Sequence, residues 1–172
     1  MLDVIKNRRS CRSFDSKPVE ESKIQEIVKA GLSAPSGMNR QTSVVIAISD
    51  KETRDALMNL NKAIMNREGV IDPFYGAPVI LLVIAKKDGL SLHDGCATME
   101  NLLLEATNQG LASCWIHRAA EEIESEEGRK LLSFTGLNFD EYIGIGHAII
   151  GSPTEEAQYR EIVIKEGREF YK

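Results

Sequence analysis

Apolar residues recur along this chain with two different periods, and the change from one to the other divides it into alternating helices and strands. Ile24, Ile27, Val28 and Leu32 follow Pro18 at helical spacing and predict an amphipathic helix that ends between Gly31 and Pro35. Val44 to Ile48 is a continuous apolar run bounded by polar residues, as in a strand buried on both faces. Leu57, Leu60 and Ile64 then place a helix over Lys51 to Asn66, with irregular chain from Gly69 to Gly76 and a second buried strand from Val79 to Ala85. Met99, Leu102, Leu103 and Ala106 predict a core helix from Asp94 to Gln109, stopped at Gly110. Ala112 to Ile116 reads as a short strand, Glu121 to Phe134 as a helix and Tyr142 to Ile150 as a fourth strand, with a short helix, Asp3 to Arg9, at the start. Helices and strands joined by short links predict a layered sheet protein, and no repeat or linker divides residues 1–172. From about 151 to 172 the chain is charged but carries Ile162-Val163-Ile164, suited to an edge strand or to an arm reaching across a partner subunit.

Composition narrows this picture. Apolar residues make up 42% of the chain and charged residues 27%, the balance of a folded globular protein. A net charge of −5 argues against a general nucleic-acid binder. No charged-then-apolar leader follows Met1, and the longest apolar run is far below the roughly 18 residues of a membrane span, so a cytoplasmic protein away from the membrane is expected. Three cysteines, Cys11, Cys96 and Cys114, make neither a disulfide framework nor a zinc site, and His93-Asp94-Gly95-Cys96 lacks a second ligand pair, so no metal is expected.

Two segments carry candidate chemistry. Arg8-Arg9-Ser10-Cys11-Arg12-Ser13-Phe14 gathers three guanidiniums and two hydroxyls, groups that suit a phosphate. Ala34-Pro35-Ser36-Gly37-Met38-Asn39-Arg40-Gln41 is a turn rich in polar donors, in which Gly37 is free to take positive φ and Asn39 and Gln41 offer groups for the edge of a planar heterocycle. His117-Arg118 follows a strand end, a usual place for ligand contacts in sheet proteins, whereas His147 sits in an apolar strand and reads as a hydrogen-bonded core residue. Arg9 and Arg12 flank Cys11 closely enough to lower its thiol pKa, although small size is reason enough for a cysteine there. Gly144-Ile145-Gly146-His147-Ala148-Ile149 starts like a dinucleotide fingerprint but has Ile149 in the third glycine position and lies within a strand. There is no Gly-Lys-Ser/Thr triplet for an ATPase loop and no nucleophile elbow.

Taken in order, these segments resemble the FMN-dependent nitroreductase family over essentially the whole chain. Arg8 to Phe14 followed by Pro18-Val19 is similar to the family's Arg-x-Ser-x-Arg/Lys motif, and Ala34 to Gln41 to its Pro-Ser-x-x-Asn turn. Gly76-Ala77-Pro78 with the strand after it, the helix from Asp94 to Gly110, and Gly110-Leu111-Ala112-Ser113-Cys114-Trp115-Ile116 resemble its central elements and its Gly-Leu-Gly-Ser-x-Trp segment. The resemblance implies an α+β sandwich with a central mixed β-sheet flanked by helices, an intertwined homodimer, and FMN at the subunit interface. On this basis Arg8, Ser10 and Arg12 would hold the FMN phosphate or the pyrimidine ring, with Arg9 adding main chain or charge. Pro35, Ser36, Gly37 and Asn39 would cover the ring from the partner chain, supported by Gln41, and Ile116, His117 and Arg118 would lie near flavin N5. Arg160 and Lys165 are the candidates for the family's C-terminal phosphate ligands, without the usual Lys-x-Arg spacing.

Gln41-Thr42-Ser43 stands where many members have Gln-Pro-Trp, and the stretch from Asn59 to Phe74 is short, which implies a reduced lid and loose substrate choice. The implied reaction is ping-pong: NADH or NADPH gives hydride to N5, and a nitroaromatic, quinone or related acceptor then takes it. No side chain need act as acid or base, though His117 has the right ordinary pKa to supply a proton, as solvent has. Arg40, Lys62 and Arg67 are available to an NADPH phosphate without choosing between the two nicotinamides. The alternatives are a flavin-binding or flavin-sensing dimer without significant turnover, and a reductive dehalogenase or flavin-degrading enzyme on the same fold.

Overall fold

Val79–Lys86 (β2) is buried from its first residue to its seventh, because both faces of the sheet around it are covered. The computed structural model describes residues 1–170 and 172; of the arm, residue 171 lies outside the described residues. The other elements are α1 (Asp3–Asn7), α2 (Glu21–Leu32), β1 (Ser43–Ile48), α3 (Lys51–Met65), α4 (Ser91–Asn108), β3 (Ala112–Ile116), α5 (Ala119–Glu124), α6 (Glu126–Leu131) and β4 (Tyr142–Gly151). The sheet order is β1-β2-β4-β3. Alternate side chains of β2 serve different cores. Ile80, Leu82 and Ile84 pack with Leu57 and Leu60 of α3, Ile123 of α5, Leu132 and Phe74; Val79, Leu81, Val83 and Ala85 pack with Ile24 and Ile27 of α2 and Met99, Leu102 and Leu103 of α4. The continuous apolar run thus has a structural cause: each parity of the pleat faces a helical layer.

The sheet expected to be mixed is antiparallel in each of its strand pairings, and parallel pairing enters where Ser10 bridges Ser113. The sense of the first pair follows from how the chain returns. Ile48 at the end of β1 pairs with Ile80 at the start of β2, so α3 must leave and re-enter at the same end of the sheet. Asp72 organises that return by accepting from the backbone N–H of Phe74 at 2.6 Å and of Gly76 at 2.9 Å, and from Arg54 at 2.6 Å.

Three further expectations change. β1 is an edge strand with Ala47 exposed, because β2 covers one of its edges and no strand among the described residues covers the other. The single helix from Glu121 to Phe134 is broken at Ser125, whose backbone is extended and whose hydroxyl accepts from the Gly128 N–H at 3.0 Å to start α6 afresh. Ile162-Val163-Ile164 forms no strand within the chain and is exposed.

Gly144 and Gly146 allow the layers to close around β4. A Cβ on Gly144 would lie 2.2 Å from the carbonyl carbon of Ala119 at the start of α5, and one on Gly146 would lie 2.2 Å from Nε1 of Trp115. Between them Ile145 is a bulge, since Val83 pairs with Gly146 and Ile84 with Gly144. The pair of glycines that resembles a nucleotide fingerprint therefore serves packing. Gly144→Ala must push α5 off the strand and should destabilise the fold by about 1–3 kcal/mol. Urea unfolding of the purified variant checks this, and an unchanged midpoint would show that α5 does not rest on β4.

Candidate functional site

The basic segment is built where α1 ends and the chain crosses to the sheet. The Cys11 N–H donates to the Ser113 carbonyl at 2.9 Å beside the Ser10–Ser113 bridge, which pins the segment along β3. Arg8 pairs with Glu100 of α4 at 3.5 Å. Arg9 turns back on its own helix, donating to the carbonyls of Lys6 at 2.6 Å and Arg8 at 2.7 Å, so its charge closes the C-terminus of α1. Burial pushes the Cys114 thiol up, against the opposing effects of the Arg12 charge, a hydrogen bond with Ser10 and the Arg8 charge. The Ser10–Ser113 bridge thus carries the Arg8–Arg12 segment beside β3. Cys11 is buried there, its thiol donating to the Ser13 carbonyl at 3.2 Å, and Tyr159 reaches it: burial and a hydrogen bond with Cys11 push the phenol up.

The Pro35–Gln41 turn lies at the N-terminal end of α4. The Gly37 N–H donates to Asp94 Oδ1 in the first turn of that helix at 3.0 Å, while Arg8 holds Glu100, six residues or about 9 Å further along the axis. Within one chain the two motifs are thus apart. Positive φ does not fall on Gly37, as expected, but on Met38, Asn39 and Gln41. At Gly37 a Cβ would meet the end of the Leu90 side chain, Cδ1, at 2.4 Å, so the two pack in contact. The left-handed residues are held by a hydrogen bond from the Gln41 N–H to Ser36 Oγ at 2.9 Å and one from Gln41 Nε2 to Asn39 Oδ1 at 3.0 Å. Arg40 ties the turn to Asp88 at 3.1 Å. Ser91, the Leu90 N–H and Arg40 hold the Asp88 carboxyl below the usual aspartate value.

The third group is the connection from β3 to α5. His117 is exposed, its ring 6.3 Å from that of Trp115, and Arg118 takes φ of 84° and pairs with Glu121 at 3.2 Å. A left-handed arginine costs about 1–3 kcal/mol and persists only where neighbours over-determine it. One such neighbour is Asn61, whose Nδ2 donates to the His117 carbonyl at 3.0 Å and to Glu122 Oε1 at 2.5 Å. Glu122 Oε2 in turn lies 2.7 Å from Nε2 of His147. All three side chains are fully buried. His147 is the hydrogen-bonded core residue expected, whereas Asn61 and Glu122 went unmarked. A polar residue one turn after Leu57 on the buried stripe of α3, and another beside Ile123, were the signals available.

Arg160 and Lys165 lie in the exposed arm, beyond Tyr159. On β3 and the turn after it, buried donors without partners among the described residues are Ser113 Oγ, Trp115 Nε1 and Arg118 Nε. The described residues hold no group of three or more His, Cys, Asp or Glu placed to bind a metal, and no helix is long and apolar enough to cross a membrane.

The layers define an α+β protein whose polar clusters gather along β3 and at the start of α4. The chain belongs to the Nitroreductase family, whose model matches residues 5–151. It is similar to the crystal structure of a nitroreductase with bound FMN from Bacteroides fragilis, with a TM-score of 0.88 and 26% identity over 98% of this chain and 96% of that one. A nitroreductase with bound FMN from Desulfitobacterium hafniense agrees in fold, with a TM-score of 0.75 and 24% identity over 98% and 96%. The FMN reductase [NAD(P)H] of Bacillus subtilis is 33% identical over 135 residues, 72% of this chain and 51% of that protein.

The Asp88 contacts make the turn sensitive to acid. A carboxyl lowered in the folded state stabilises above its unfolded value of about 3.9 and loses that contribution as pH falls through the folded value. Hydrogen exchange of residues 37–41 should be constant from neutral pH down to about 4 once corrected for intrinsic rates, and should quicken below it. Asp88→Asn should show the loosened turn already at pH 7.

Proposed function

We propose that this protein is an FMN-dependent oxidoreductase that takes hydride from NADH or NADPH and delivers it, by a ping-pong sequence, to nitroaromatic, quinone or related acceptors. The observation that carries the reading is the pinning of the Arg8–Arg12 segment along the start of β3 by the Ser10–Ser113 bridge, with the His117–Arg118 turn at the other end of that strand. Arg8, Ser10 and Arg12 fit the cofactor: two guanidiniums and a hydroxyl suit its phosphate, and the partnerless Ser113 Oγ, Trp115 Nε1 and Arg118 Nε offer further donors near the strand. When bound, FMN supplies a centre that accepts a hydride at N5 and gives it up again.

In this reading Arg8, Ser10 and Arg12 bind phosphate and pyrimidine ring, and Arg9 contributes main chain, its guanidinium being held by α1. Ile116, His117 and Arg118 border N5, with exposed His117 placed to pass a proton. Pro35, Ser36, Gly37 and Asn39 cover the ring from a second copy, which accounts for their separation from Arg8 within one chain. Arg160 and Lys165 bring the arm's charge towards the phosphate.

A homodimer also accounts for the arm. The free edge of β1 borders a groove of about 700 Å³ lined by Val28, Leu32 and Ala47, while Ile162, Val163 and Ile164 are 55%, 76% and 66% exposed. The arm of a second copy laid along β1 buries both surfaces and extends the sheet. Three free thiols suit the reducing cytoplasm.

Purified protein loaded with FMN should be yellow and should bleach with NADH or NADPH in the absence of oxygen; a protein that takes up no FMN contradicts the reading. Arg8→Ala with Arg12→Ala should weaken FMN binding about 100-fold while leaving the circular dichroism spectrum intact, on the scale of two charge-assisted contacts. Equal flavin occupancy in the variant and the parent would remove the phosphate assignment. Truncation after Glu155 should give a monomer by sedimentation; a truncated dimer would contradict the arm's role.

A further inference from the structure

The buried set Asn61, Glu122 and His147 touches the candidate site at one atom, the carbonyl oxygen of His117, and that contact has a direct consequence for the next peptide group. No cis peptide occurs among the described residues, so the carbonyl of His117 and the N–H of Arg118 lie in one plane and point in opposite directions. Asn61 Nδ2 holds the carbonyl inward at 3.0 Å. The Arg118 N–H is therefore turned away from Asn61 and the core, and it forms no hydrogen bond to the described residues. We propose that Asn61, Glu122 and His147 form a buried clamp that aims the Arg118 N–H at flavin N5, and that they act as positioning residues for hydride transfer. The inference rests on the flavin reading above and deepens it.

The clamp works through the orientation of one amide. Asn61 faces two acceptors, the His117 carbonyl and Glu122 Oε1, so only its NH2 group satisfies both. Glu122 thereby fixes the Asn61 rotamer, and His147 Nε2 fixes Glu122 by occupying Oε2. A carboxylate and an imidazole, both fully buried, are a costly way to stabilise a core, since an apolar pair of the same volume often serves as well or better. Retaining them makes physical sense where they select a single backbone geometry. The left-handed Arg118 is that geometry, and Gly144 admits the start of α5 close enough to β4 for Glu122 to reach His147.

The test is made on FMN-loaded protein with 15N-labelled flavin, whose N5 resonance reports a hydrogen bond at that atom. Asn61→Leu should move the N5 resonance towards that of flavin in an aprotic solvent. It should also slow anaerobic reduction by saturating NADH about ten-fold or more, with FMN affinity changed less than about three-fold. Glu122→Gln, which can still accept from Asn61, should keep the N5 resonance near the parental position, and Glu122→Ala should not. If Asn61→Leu fails to fold, Asn61→Ser gives the same reading with less disturbance. Variants that melt earlier but leave the N5 resonance in place would make the set merely structural and overturn the proposal. In the flavin-free protein, Asn61→Leu or Asn61→Ser should broaden the Arg118 amide resonance. An unaltered amide would overturn the clamp whether or not FMN binds, whereas a parent that binds no FMN would overturn the flavin reading alone.

Discussion

The contact on which the site depends is the close approach of the β3–α5 connection to the backbone of β4. It requires Gly144 and Gly146, because side chains there would occupy the positions of Ala119 and Trp115. From that approach follows the reach of Glu122 to His147, and from Glu122 the orientation of Asn61 and of the His117 carbonyl. The geometry of an exposed turn is thus set by atoms that never see solvent. This arrangement suits hydride chemistry, in which the protein's task is to hold donors and charges still while the cofactor reacts.

A second constraint is that one chain holds its polar motifs at different levels of α4, the first turn and the middle. Asp94 fixes the Pro35–Gln41 turn at the start of the helix, and Glu100 fixes Arg8 further along. Three left-handed non-glycine residues in the turn, Met38, Asn39 and Gln41, carry strain of a kind that clusters at ligand sites. Ile162, Val163 and Ile164 of the arm and the free edge of β1 are likewise left exposed by this chain.

Much of this was legible in the residues. Apolar periodicity placed α2, α3, α4 and all four strands to within a few positions, because each of these elements buries a face against a helical layer or the sheet. The Arg8–Arg12 and Pro35–Gln41 segments stood out because polar, conformationally special residues were packed together. What periodicity missed has common physical causes. The edge position of β1 depends on which strands neighbour it, and local sequence carries no such information. The break at Ser125 turned on a competition between helix continuation and a side-chain cap. Gly37 was expected to supply the positive φ of the turn, but Met38, Asn39 and Gln41 take it, and Gly37 packs against the side chain of Leu90, more than fifty positions away. Asn61 and Glu122 sat within apolar stripes where their polarity read as noise, and only their three-dimensional convergence on His147 and His117 gives them meaning.

The central claim is that a flavin site is assembled from the Arg8 cluster of one copy and the Pro35–Asn39 turn of another. The most direct measurement counts FMN per dimer in heterodimers that pair an Arg8→Ala, Arg12→Ala chain with a Ser36→Ala, Asn39→Ala chain, separated by distinct tags. The account predicts little flavin in either homodimer and about one FMN per heterodimer, because only one of its two sites unites an intact cluster with an intact turn. A heterodimer as empty as its parents, formed from a protein that binds two FMN per dimer when unaltered, would show that each site is built within a single chain and would contradict the account.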